Sequence, residues 1–183
     1  LVYVNGEKAG EHEGGFTPFA FDITDLLVTG RNSIVVGVDA EHVAASVPTP
    51  VVDWKNFGGI TRPVHLVSLP DTYVHDYFIR LASDDRLNAE VRLGGDDVGN
   101  RDVSIELPEL DLVLRGKTNE SGKVTIEVDV PADLQRWSPG SPVLYDVNIT
   151  VAGDSVADRI GFRTVTVNGS DILLNGEPIF LRG

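Results

Sequence analysis

Val124-Thr125-Ile126-Glu127-Val128-Asp129-Val130 alternates apolar and polar side chains without a break. A period of two puts one row of side chains on a core and the other in water, as a half-buried strand requires; a helix would need a period near 3.6. Val103-Ser104-Ile105-Glu106-Leu107 repeats the pattern, as do Tyr145, Val147, Ile149 and Val151. Asn5-Gly6 and Asn175-Gly176 stand between apolar runs, and both residue types accept the positive φ of a tight hairpin turn. Long stretches of helical periodicity are missing; the sequence offers one helical turn near Asp22-Ile23-Thr24-Asp25-Leu26-Leu27. The pattern predicts an all-β chain.

Pro70-Asp71 is the best internal boundary. Before it, Val64-His65-Leu66-Val67-Ser68-Leu69 reads as the strand that closes one set. After it, about seven short strands run to Phe162, a number and spacing that suit an immunoglobulin-like sandwich. A last hairpin is expected over 164–181. The chain opens on Leu1-Val2-Tyr3-Val4 in mid-strand and stops at Phe180-Leu181-Arg182-Gly183 without a turn, so a piece of a longer protein is expected.

Several blocks are familiar as well as strand-like. Tyr3-Val4-Asn5-Gly6, then His12-Glu13-Gly14-Gly15-Phe16-Thr17-Pro18-Phe19, then Phe21-Asp22-Ile23-Thr24 resembles the N-terminal jelly-roll domain of glycoside hydrolase family 2, the β-galactosidase and β-glucuronidase type. Asn56-Phe57-Gly58-Gly59-Ile60-Thr61-Arg62-Pro63 is similar to that family's loop and following strand. Arg136-Trp137-Ser138-Pro139-Gly140-Ser141-Pro142-Val143-Leu144-Tyr145 resembles a run late in its sandwich domain. Gly161-Phe162-Arg163 followed by Leu174-Asn175-Gly176-Glu177-Pro178-Ile179-Phe180-Leu181-Arg182-Gly183 resembles its entry into the catalytic barrel. The resemblance implies three pieces: residues 1–70 as the C-terminal half of a galactose-binding-like jelly roll, 71–163 as an immunoglobulin-like sandwich, and 164–183 as the lead-in hairpin and first strand of a (β/α)8 barrel. Residues 83–135 carry no family signal and rest on alternation alone.

The chemistry narrows accordingly. A net charge of −13 opposes nucleic acid, which needs a basic face. No apolar run approaches the roughly 18 residues that span a membrane. Cysteine is absent, which removes thiol catalysis and leaves the compartment unknown. A retaining glycosidase uses two carboxyl groups about 5–5.5 Å apart; the resemblance places both glutamates on the barrel, outside this chain. No residue here is therefore expected to be catalytic, Glu13 and Glu177 included. The implied parent is a retaining exo-β-glycosidase whose fragment buttresses the barrel and shapes the active-site rim.

Asp53 and Trp54 are the candidate substrate-binding residues. The spacing from Asp53 to Gly59-Ile60 resembles the β-glucuronidase pattern in which an acidic residue of the first domain reaches the barrel's mouth, where a carboxylate accepts hydrogen bonds from sugar hydroxyls. The plainer reading is an Asp that caps a turn. Trp54 would stack on a sugar face or plug an interface. His12, His42, His65 and His75 show no metal-ligand spacing, so no metal or cofactor is expected in this chain, and a metal ion in the barrel is left open. The expected partners are a carbohydrate substrate, the barrel itself and a second copy of the chain as a homo-oligomer. The alternative is a stand-alone carbohydrate-binding or scaffold module, which would show an aromatic platform on an exposed face.

Overall fold

The computed structural model describes residues 1–41, 57–82 and 86–181. The chain divides into two compact units, Leu1–Leu66 and Val67–Gly183.

In the first unit, β1 (Val2–Val4), β2 (Glu7–Gly10) and β3 (Ile34–Val36) form an antiparallel sheet in the order β2-β1-β3. Asn5 and Gly6, at φ of 51° and 90°, make the tight turn that sets Val4 opposite Glu7. The Asn5 side chain does more than turn. Its Nδ2 donates to the Leu26 carbonyl and to Asn32 Oδ1, both at 2.8 Å, and its Oδ1 accepts from the Ser33 amide at 2.9 Å. The expected helical turn is a single 3-10 turn, Thr24–Leu26, introduced by Asp22, whose Oδ1 accepts from the Thr24 amide and hydroxyl. Val64–Leu69 was expected as a strand and forms none: it finds no ladder neighbour among the described residues, and Val64, Leu66, Val67 and Leu69 are all exposed. Alternation favours an extended backbone, but a strand also needs an edge to pair with.

The second unit is a sandwich. β4 (Thr72–Leu81), β5 (Arg86–Gly95) and β8 (Lys123–Asp129) pair in the order β4-β5-β8. β6 (Asp102–Leu107), β7 (Leu112–Lys117), β9 (Tyr145–Val151) and β10 (Asp154–Ile160) pair in the order β10-β9-β6-β7. Leu87, Ala89, Val91 and Leu93 of one sheet and Val103, Ile105, Leu107, Val147, Ile149 and Val151 of the other are buried in a shared core. Each large aliphatic side chain so removed from water contributes about 1.5–3 kcal/mol.

The end of the sandwich is fastened by named bonds. The Tyr145 hydroxyl accepts from the Gln135 amide at 2.7 Å, and the Trp137 amide donates to the Phe162 carbonyl at 2.7 Å. Gly161 lies against the Trp137 side chain, where an added Cβ would come within 3.0 Å of the Trp137 Cβ and two ring carbons. Trp137 thus anchors the closing loop. Beyond it, β11 (Val165–Asn168), β12 (Asp171–Leu174) and β13 (Glu177–Pro178) form a small antiparallel sheet, the expected hairpin extended by a third strand. Asn175 ties this sheet back: its Nδ2 donates to the Trp137 carbonyl at 2.9 Å and its Oδ1 accepts from the Thr164 amide at 3.1 Å.

Candidate functional site

Asp53 and Trp54, the two residues singled out for substrate contact, lie outside the described residues, as do Asn56 and His42. Residues 57–63 of their loop are described, and its two glycines have different tasks. A Cβ on Gly58 would sit 2.4 Å from the Ala40 Cβ, so Gly58 allows close approach. Gly59 holds a φ of +84°, which a side chain would strain. Phe57 and Ile60 beside them are exposed.

His12 packs as a structural residue. Its ring stacks on Phe19 with centroids 4.6 Å apart, and its Nε2 lies 3.0 Å from the Thr17 hydroxyl. Phe21 covers Gly10 closely enough that a Cβ would collide with its ring at 2.3 Å. Glu13 and Glu177 are both exposed. Among the described residues, no three His, Asp or Glu side chains come together as a metal site.

The outer face of the β4-β5-β8 sheet concentrates side chains that sequence alternation missed. β4 slips register between Val74 and Asp76, leaving His75 as an extra residue. Before the slip Val74 packs on the core, and after it Tyr77 and Ile79 do so. Tyr73, His75, Asp76, Phe78 and Arg80 are left facing outward. The Tyr73 ring lies over Gly94, where a Cβ would come within 2.6 Å of it. The Tyr73 and His75 rings are 6.2 Å apart and within 24° of parallel, and the Arg80 guanidinium sits 5.4 Å from the Phe78 centroid.

Charges on this face cancel. Arg92 Nε donates to Asp76 at 2.9 Å, Arg86 pairs with Asp129 at 3.0 Å, and Arg80 approaches Glu90 at 3.6 Å. Arg92 holds the Asp76 carboxyl below the usual carboxylate range. Asn88, on the same face, is buried; its Nδ2 donates to Glu127 at 3.0 Å while its Oδ1 accepts no hydrogen bond. The edge of β4 is tied to β10: the Val74 amide donates to Asp154 at 2.9 Å, and the Tyr77 hydroxyl donates to Asp158. Partial burial, and then the Asp158 carboxylate, push the Tyr77 hydroxyl up to about 12.

The sequence profile of the sugar binding domain of glycosyl hydrolases family 2 matches residues 1–70, and the profile of glycosyl hydrolases family 2 matches residues 72–163. The chain belongs to glycosyl hydrolase family 2. Its similarity runs over 100% of its length to a β-galactosidase of Thermoanaerobacter pseudethanolicus, at 34% identity, covering 27% of that protein. A putative β-glucuronidase of Formosa agariphila is 30% identical, again over the whole chain and over 24% of the relative. Among solved structures, the apo β-glucuronidase of Ruminococcus gnavus superposes with a TM-score of 0.76 at 27% identity, covering 100% of this chain and 34% of that one. The chain therefore spans about a quarter of the length of these curated relatives. Within glycosyl hydrolase family 2 it corresponds to the N-terminal sugar-binding and immunoglobulin-like domains. The β11-β12-β13 sheet follows the end of the second profile match at residue 163.

Proposed function

We propose that this chain is the non-catalytic β-domain part of a retaining exo-β-glycosidase that removes terminal β-galactosyl or β-glucuronyl units. The observation that carries the reading is coverage: whole-chain similarity to β-galactosidases and a β-glucuronidase accounts for only a quarter of each. The hydrolytic glutamates then belong to a barrel outside residues 1–183, and the chain by itself is inactive. Residues 1–70 form the sugar-binding-like domain, 71–163 the sandwich, and 164–183 the lead-in to the barrel. Val165, Val167, Phe180 and Leu181 are exposed on that lead-in, which supports a covering partner there. The sandwich buttresses the barrel while the 53–63 loop shapes its rim, with Asp53 accepting hydrogen bonds from sugar hydroxyls and Trp54 offering a ring face. A site built to bond a hydroxyl strongly rejects analogues that lack it.

The test compares the full-length enzyme with its Asp53→Ala variant on nitrophenyl β-galactoside and β-glucuronide. A loss of about 30-fold in kcat/KM, or ~2 kcal/mol of transition-state stabilisation, is expected on whichever glycoside the enzyme cleaves. An unchanged variant removes Asp53 from the site. Failure of the wild type to cleave either glycoside would favour a carbohydrate-binding or scaffold module.

A further inference from the structure

We propose that the outer face of the β4-β5-β8 sheet binds an extended β-linked oligosaccharide. The bulge at His75 turns Tyr73, His75 and Phe78 to the same side of one strand. Such a phase slip is a recurrent device for re-aiming side chains. Gly94 lets the half-buried Tyr73 ring lie down on the backbone of β5. The neighbouring His75 ring is nearly parallel to it. Flat rings bordered by fixed polar edges suit a pyranose, whose axial C–H face packs on the ring while its hydroxyls bond outward. Asp76 and Arg92 supply those edges, with Arg92 also 2.8 Å from the His75 Nδ1.

The geometry also sets the length of the ligand. Tyr73 and Phe78 stand opposite Gly94 and Glu90, four ladder steps apart once the bulge is discounted, roughly 13 Å by strand rise. That span takes several sugar rings in a row, so a monosaccharide would reach only one end. Arg80 rests over Phe78 and must swing aside or share the ring with the sugar. The Val74 amide on the edge of β4 is already bonded to Asp154, which argues against a peptide added as a further strand there. The chain's charge of −13 argues against nucleic acid.

The reading of the parent enzyme enters here only in the choice of sugars. The full chain is titrated calorimetrically with a β-1,4-linked galactohexaose, with an α-1,4-linked glucohexaose as control. The β-linked hexaose is expected to bind in the millimolar range or tighter, and the control at least tenfold more weakly. Tyr73→Ala and Phe78→Ala should each weaken binding about tenfold, whereas Tyr73→Phe should keep it. Gly94→Ala deletes no ring but pushes Tyr73 off the backbone, and should weaken binding in a chain that still melts as the wild type does. No binding of the β-linked hexaose would overturn the proposal. So would binding that survives both ring deletions, or binding abolished by Asp53→Ala alone, which would assign it to the 53–63 loop.

Discussion

Asn175 offers a quantitative test of how the terminal sheet is fastened to the sandwich. It sits at φ 53°, a left-handed conformation that costs an ordinary L-residue about 1 kcal/mol or more. Its side chain also satisfies the Trp137 carbonyl and the Thr164 amide. Each bond contributes about 1 kcal/mol net. Asn175→Gly keeps the backbone conformation and loses both bonds, so it should destabilise the second unit by about 2 kcal/mol. Asn175→Ala loses the bonds and adds the backbone strain, for a total of about 3 kcal/mol. Urea unfolding followed by tryptophan fluorescence reads both variants, in a Trp54→Phe background so that Trp137 alone reports. The order wild type, Gly, Ala is the signature. A Gly variant as stable as wild type would show that the side-chain bonds add nothing, and equal Gly and Ala variants would refute the strain argument.

Two further outcomes follow from particular contacts. Tyr77 is raised from 10.0 to about 12 in the fold, so its contribution is fully present below pH 10 and is lost between pH 10 and about 12; Tyr77→Phe should flatten the fall in stability across that window, measured by urea midpoints at stepped pH. Asn5→Ala removes the three side-chain bonds that join the first turn to the 3-10 turn and to β3, at a cost of about 1–2 kcal/mol because the site is exposed to water. Amide exchange should then speed up at Ser33 while the β9 amides stay as they were.

How much of this was legible in the sequence depended on whether the signal was local. The alternation at 103–107, 124–130 and 145–151 became β6, β8 and β9, with Val103, Ile105, Tyr145, Val147 and Ile149 turned inward. Asn5-Gly6 and Asn175-Gly176 turn with both φ values positive, because that preference belongs to the residues themselves. Val64–Leu69 had the same composition as those strands and failed, since pairing depends on a neighbour that composition does not encode. Asn5 and Asn175 were read as turn formers, yet each also bonds groups far along the chain, and no local pattern announces such a partner. Buried apolar side chains separate the two units sharply. Among the described residues, Val4 is the one fully buried apolar side chain of the first unit, while the second holds all the others.

The bulge in β4 is the most instructive failure of pattern. In strict alternation Tyr73, His75, Tyr77, Ile79 and Leu81 would share one face, and with Ile79 and Leu81 in the core, Tyr73 and His75 would be buried too. One extra residue reverses the phase upstream, so that Val74 packs on the core and both rings turn out. The slip interrupts the ladder beside Val74, whose amide is answered by Asp154 from another strand. A strand in perfect register would bury Tyr73, whereas this one lays it on a bare glycine at the surface and sets it beside a second ring. The slip gains the packing of Val74 and exposes two rings at once, and the proposed sugar surface rests on the second of these effects.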